Sequence, residues 1–232
     1  MTDDADYDLN GYAVHRGVFT RAEMADLTAA IERASASAGS STLDRPAMTF
    51  HSLLFPHSAE LQAFLSSPTV LDLVRPVLGD DLWVRWDQAV VKGPGAPIFP
   101  WHQDNGYSLL LDEHVQVWIS LTDVELERGA LWVVPGSHRA TYDHDEDDGH
   151  VAIDDEVAGQ GRPITTTAGD VVLFSSRTLH RTTPNETDHE RWTYVAEYLP
   201  LGSFDPWVEP PYFRVARRGR PDPAFVSWPP GR

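Results

Sequence analysis

The chemistry in this chain is concentrated in His102-Gln103-Asp104, in His180, which lies 76 residues after Asp104, and in Arg191 beyond it. Two imidazoles and one carboxylate are the ligand set that leaves three adjacent positions of an iron(II) ion open. Those positions have room for a bidentate 2-oxo acid and for dioxygen. The planar fork of an arginine matches a carboxylate, so Arg191 is placed to clamp the far end of a dicarboxylate cosubstrate. The pattern points to oxygen activation.

Such side chains need a scaffold that brings distant segments together. In a strand, side chains i and i+2 share a face. A strand through His102 and Asp104 would aim both at one point and turn Gln103 away. The apolar run Val171-Val172-Leu173-Phe174 reads as a strand that delivers His180 near its exit. From Leu82 onward, short β-branched and aromatic runs are separated by Gly/Pro turns, the pattern of a barrel or jelly roll. Within it, Val115, Val117, Ile119 and Leu121 alternate with Gln116, Trp118, Ser120 and Thr122.

Upstream, Thr20-Arg21-Ala22-Glu23 is a capping box opening a helix whose apolar face is Met24, Leu27, Ile31 and Ala34. A second helix covers Ala59 to Leu65. Ser67-Pro68 starts a third, which ends at Gly79 and is kinked or shortened by Pro76. The Pro- and Arg-rich segment 206–232 reads as an extended wrap or partly disordered end.

Composition narrows the class. The 232 residues are 41% hydrophobic and 23% charged, as in an ordinary soluble globular protein, and no stretch reads as a membrane span. There is no cysteine, so His and carboxylate are the metal-binding repertoire. The net charge of -17 argues against nucleic acid or an anionic membrane as partner and leaves a small-molecule substrate. Lys92 stands alone against seventeen arginines. Met1-Thr2-Asp3-Asp4 is acidic and lacks the apolar core of a secretory signal, which sets a cytoplasmic expectation. Oligomeric state is not encoded in any feature of the sequence.

These residues, in this order, resemble the phytanoyl-CoA dioxygenase-like branch of the iron(II)/2-oxoglutarate oxygenases. The match runs from Gly11-Tyr12-Ala13-Val14 through Leu78-Gly79-Asp80, Val91-Lys92-Gly93-Pro94-Gly95, Trp101-His102-Gln103-Asp104 and Tyr107. It continues through Gly129-Ala130-Leu131, Pro135-Gly136-Ser137-His138 and Gly169 to Phe174, ending with His180 and Arg191. The resemblance implies a mainly β fold, a double-stranded β-helix (a cupin-like jelly roll) with flanking helices. It implies one domain over 1–232, with a core of about 10–200 and a C-terminal extension over 206–232. It implies iron(II) on His102, Asp104 and His180, and 2-oxoglutarate held by Arg191 and Thr182, with Trp118 and Gln88 lining its pocket. Arg128 departs from the family, standing where relatives often carry asparagine, and reads as a turn difference.

Trp101, Asn105 and Tyr107 flank the metal motif and are the candidates for substrate contact. Asp104 argues against a halogenase, which needs the carboxylate position vacated for halide. Hydroxylation of a small molecule is the expected reaction. The alternatives are desaturation or cyclisation on the same scaffold, and a non-catalytic cupin-like binding protein. The acidic run Asp143 to His150 lacks the sixth-position glycine of a calcium loop and reads as a solvated loop placed to act as a lid.

Overall fold

The computed structural model describes residues 2–3, 6–37, 41–106, 112–147, 150–153, 159, 161–203 and 205–227. Four α-helices occur among them. Asp6 caps α1 (Tyr7–Asn10), and Thr20 and Glu23 cap α2 (Arg21–Ser35) with both reciprocal bonds of the capping box present. The buried stripe of α2 is Met24, Leu27, Ala30, Ile31 and Ala34. Ser58 caps α3 (Ala59–Leu65), and Ser67 caps α4 (Pro68–Leu78). Pro76 does not end α4, which runs through it to Gly79, where φ is 87°.

The strands are β1 (Thr2–Asp3), β2 (Tyr12–His15), β3 (Ser41–Arg45), β4 (Met48–Ser52), β5 (Leu82–Lys92) and β6 (Phe99–His102), followed by β7 (Val115–Ser120) and β8 (Leu131–Val133). Next come β9 (Asp145–Asp147), β10 (His150–Ala152), β11 (Arg162–Ile164) and β12 (Val171–Ser175). The last are β13 (His180–Thr182), β14 (Arg191–Pro200), β15 (Tyr212–Arg217) and β16 (Arg220–Val226). The large sheet runs β1-β2-β12-β7-β14-β5-β15-β16, with the β3–β4 hairpin joined to β5 through β4. A four-stranded sheet runs β11-β8-β13-β6. From β5 to β8 successive strands alternate between the two sheets, and from β11 to β14 they alternate again. That winding is a double-stranded β-helix, the jelly roll expected from the sequence.

The alternation of β7 has a clear outcome. Val115, Val117 and Ile119 pack toward the helices in the main core, whereas Trp118 joins the core inside the roll. All six residues of β7 are buried, so its polar positions face a protein interior and not solvent. No helix among the described residues is long and apolar enough to cross a membrane.

The C-terminal segment corrects an expectation. It is a hairpin, β15–β16, docked on β5. Tyr212, Phe213, Val215 and Ala216 are buried, and the Tyr212 ring meets Trp83 edge-on at 5.3 Å. Pro221 and Pro223 sit in β16, the outer strand, where a missing N–H interrupts no ladder. The acidic segment likewise holds a short antiparallel pairing of β9 with β10. Residues 148 and 149 at its tip lie outside the described residues.

Candidate metal and cosubstrate site

His102 is the last residue of β6 and His180 the first of β13, and the two are register partners across the small sheet. Their ring centroids lie 4.0 Å apart. Asp104 is not on the strand as expected. The chain leaves β6 after His102, and Asp104 opens a 3-10 turn, Asp104–Gly106. Gln103 does turn away, into a set of loop contacts. Its amide nitrogen donates to the carbonyls of Ala140 and Arg177, and its amide oxygen accepts from Tyr142 N at 3.1 Å. Its backbone N–H donates to His144 Nε2 at 2.9 Å, which ties the acidic segment to the motif. Ser137 Oγ accepts from Leu179 N at 2.9 Å, bracing the residue before His180.

Asp104 Oδ1 lies 3.6 Å from His102 Nε2 and 3.7 Å from His180 Nε2. One donor atom from each residue falls within 4.8 Å of the others. His102 Nδ1 is 2.8 Å from the Pro100 carbonyl and His180 Nδ1 is 3.0 Å from that of Thr178. Nδ1–H therefore donates in both rings, leaving each Nε2 lone pair directed at the shared space.

Burial holds His180 down to about 4, so it is a neutral ligand. Burial, with Glu197 nearby, pushes the Asp104 carboxyl well above its ordinary value, against the opposing pull of Arg85 and the Gln116 amide. Asp104 Oδ2 is buried with no hydrogen-bond partner among the described residues. A neutral His180, the Nε2 of His102 facing the same space and an unsatisfied carboxylate oxygen fit a divalent cation.

A cavity of about 540 Å³ runs from this cluster along β14. Arg191, Thr193, Val195 and Glu197, alternate residues of that strand, all line it. They mark out about 20 Å at roughly 3.4 Å per residue. Arg191 is 1% exposed, and its Nη1 donates to Thr193 Oγ1 at 2.7 Å. Burial, then the nearby Arg128, brings the guanidinium down to about 9. Arg128 thus bears electrostatically on the site as well as forming the expected turn, where it bonds the Glu190 carbonyl.

Thr182, Trp118 and Gln88 line the same cavity. Trp101 and Asn105 are not among its lining residues. Trp101 packs with Ile153 and Leu179, and Arg181 stacks 4.7 Å from its ring centroid, so it supports the strand that carries His102. Asn105 N donates to the Ser176 carbonyl at 3.2 Å and holds the turn. Tyr107 lies outside the described residues.

Sequence reasoning missed the far end of the cavity. Arg85 bonds both Glu197 and the fully buried Asp205. His114 Nε2 stands 3.5 Å from Glu197. The Gln116 side chain lines the cavity with both polar atoms buried and unbonded among the described residues. Glu197 carried a usable signal, since it is the lone acidic residue in the apolar run Arg191 to Pro200.

The phytanoyl-CoA dioxygenase (PhyH) family model matches residues 7–193. The chain is 28% identical over 146 residues to dioxygenase lolE1 of Epichloe uncinata, covering 62% of this chain and 57% of that protein. It is 27% identical over 176 residues to methylphosphonate hydroxylase of Gimesia maris, covering 75% and 65%. Thus it spans about three fifths of the length of the curated relatives it matches. In fold it is similar to the non-heme monooxygenase ThoJ (TM-score 0.76, 20% identity, 96% of this chain and 84% of that one). It is also similar to the epimerase SnoN, solved with Fe3+, alpha ketoglutarate and nogalamycin RO (TM-score 0.74, 23% identity, 86% and 82%).

Proposed function

We propose a function from a plain premise: the chain belongs to the phytanoyl-CoA dioxygenase family of iron(II)/2-oxoglutarate-dependent oxygenases. Its reaction is hydroxylation of a C–H bond in a small molecule, with 2-oxoglutarate and dioxygen consumed and succinate and carbon dioxide released. His102, Asp104 and His180 hold the iron. Bound iron(II) supplies dioxygen activation coupled to oxidative decarboxylation of the 2-oxo acid. Arg191 and Thr182 hold the far carboxylate of the cosubstrate, while Trp118 and Gln88 form the wall beside it.

One observation carries this reading: the three-ligand cluster and a fully buried arginine face the same cavity. Asp104 keeps the carboxylate position filled, which favours oxygen transfer over halide transfer. The relative named methylphosphonate hydroxylase supports the same reaction type. The cavity volume falls within the roughly 300 to 1,000 Å³ of small-molecule sites, and the cosubstrate takes part of it. The remainder is bounded by Arg85, Glu197, Gln116 and Trp86. Those groups suit a compact, free molecule with hydrogen-bonding substituents on a cyclic or apolar frame.

The test is succinate release across a panel of such compounds, with mass analysis of the organic product. Hydroxylation adds one oxygen, whereas desaturation or cyclisation removes two hydrogens. Substrate-independent absence of 2-oxoglutarate turnover, together with failure to bind iron, would return the chain to the class of non-catalytic binders.

A further inference from the structure

Lys92 is the one lysine in 232 residues, and it is 0% exposed. It ends β5 as the register partner of Arg191 on β14. Its Nζ donates to Thr182 Oγ1 at 3.1 Å and to the Thr183 carbonyl. Lys92 does not line the cavity, whereas Thr182 and Arg191 do. Among the described residues no carboxylate pairs with Lys92 or Arg191, although the partly buried Arg85 is paired with two. Two buried cations side by side without an anion is a costly arrangement unless a ligand completes it.

The backbone makes room for the pair. Gly129 has φ +70°, and a Cβ there would lie 3.1 Å from Lys92 Cδ and 3.5 Å from Arg191 Nε. Asn185 Nδ2 holds the Lys92 carbonyl at 2.8 Å. The charged and polar groups facing Lys92 are Arg191 from β14, Thr182 at the end of β13 and the carbonyl of Thr183 just after it, with Arg128 bearing on Arg191.

We infer that Lys92 is a positioning residue for 2-oxoglutarate: by donating to Thr182 Oγ1 it commits that hydroxyl's proton to the cosubstrate's distal carboxylate, and it adds a second positive charge behind Arg191. The inference rests on the cosubstrate site proposed above. Thr182 Oγ1 accepts from Lys92, so its own hydrogen is left to point into the cavity. Burial, then Arg191, brings the Lys92 ammonium down to about 6 in the empty protein. An arriving dicarboxylate reverses that, so binding above this pH takes up a proton and weakens as pH rises further.

The experiment uses the full chain loaded anaerobically with iron(II). Binding of 2-oxoglutarate is followed by the charge-transfer absorption of a chelated 2-oxo acid, and by calorimetry with nickel(II) in two buffers of different ionisation enthalpy. Lys92→Met is expected to weaken 2-oxoglutarate on the order of tenfold. It should also abolish the proton uptake and leave pyruvate, which lacks the distal carboxylate, bound as in the wild type. Wild-type affinity for 2-oxoglutarate in Lys92→Met, or equal loss of 2-oxoglutarate and pyruvate, would overturn the inference. If Lys92→Met does not fold, wild-type binding across pH carries the test: affinity for 2-oxoglutarate should fall relative to that for pyruvate as pH rises above neutrality, and an equal pH dependence of the two would overturn the inference. Arg191→Met separates the two levels. Intact 2-oxoglutarate binding in that variant sinks the cosubstrate site itself, whereas loss there with none in Lys92→Met sinks the role of Lys92 alone.

Discussion

Arg191→Met is the sharpest perturbation of the site, because it should make the protein worse at binding and better at staying folded. Arg191 is 1% exposed and its guanidinium is brought well below its ordinary value, to about 9, by burial and by Arg128. At about 1.36 kcal/mol for each tenfold change in proton affinity, the empty fold carries a charge penalty on the order of 5 kcal/mol at most. The sign follows from linkage. A base whose folded value is depressed costs stability at neutral pH, and that cost disappears only as pH rises through 9. An apolar side chain of similar length removes the penalty and also loses the bond to Thr193, for a net gain of about 1 to 2 kcal/mol. For a chain of this size that raises the melting temperature of the empty protein by about 2 to 8 °C. The same change strips the distal carboxylate of its buried partner, which costs about 2 to 5 kcal/mol. The 2-oxoglutarate requirement should therefore rise roughly 30- to 4,000-fold. Thermal melts without ligand and 2-oxoglutarate titrations of the same preparation read both. A variant that melts lower and keeps its cosubstrate affinity would refute the electrostatic argument at both ends.

Three further outcomes are expected. His102→Ala and Asp104→Ala should each abolish iron-dependent decarboxylation of 2-oxoglutarate, and wild-type turnover in either would remove that residue from the ligand set. Truncation before Asp205, or Asp205→Asn, removes one of the two carboxylates bonded to Arg85 and leaves it with Glu197, which costs about 1.5 to 3 kcal/mol. Denaturant unfolding tests this, and unchanged stability of Asp205→Asn would show that Asp205 adds nothing to the hold on Arg85. Asp87, buried under bonds from Leu54 N, Phe55 N and Tyr194 OH, is raised from 3.8 to about 7 by desolvation. The folded state then binds the proton more tightly, so this group's contribution to stability falls as pH rises from 3.8 to about 7. Asp87→Asn should flatten that slope in denaturant melts across the window, and an unaltered slope would assign the pH dependence elsewhere.

Much of the site is written in residue type and spacing. Two histidines, an aspartate and an arginine sit in an unusual order, and the alternation of Val115 to Thr122 separated the two faces of β7, both of which the fold buries. What escaped depends on tertiary burial. Asp104 is reached through a turn because β6 ends at His102, and no local periodicity marks that break. Trp101 flanks the motif in sequence yet packs with Ile153 and Leu179, since adjacent residues in a strand face opposite ways. The β15–β16 hairpin was masked by Pro221 and Pro223, tolerated only because β16 lies at an edge. Arg85 and Glu197 read as surface charges until the roll encloses them. Lys92 offered a composition signal, a single lysine among arginines, but its meaning needs Arg191 beside it, which pairs with no carboxylate among the described residues.

The layout of β14 explains how one scaffold can keep its cosubstrate and change its substrate. Arg191, Thr193, Val195 and Glu197 project into the cavity, while Tyr194, Ala196 and Tyr198 pack against the helix-side core. A slip of one residue would exchange the two sets, so the apolar set pins the register on which the polar set depends. β14 is paired on both sides, with β5 and with β7, and Tyr198 OH is anchored to the Leu65 carbonyl at 2.7 Å. The bulge between Glu197 and Tyr198 lies past the last cavity residue, so it bends the strand without displacing Arg191. Changes at Arg85, Gln116 or Glu197 bear on Asp104 as well as on the substrate half, whereas Trp86 lines the cavity without that link, and the Arg191 half keeps its geometry throughout. On this arrangement, Trp86→Leu should alter which compounds release succinate and leave anaerobic 2-oxoglutarate binding unchanged. Equal loss of both would mean that the two halves of the cavity are not separable.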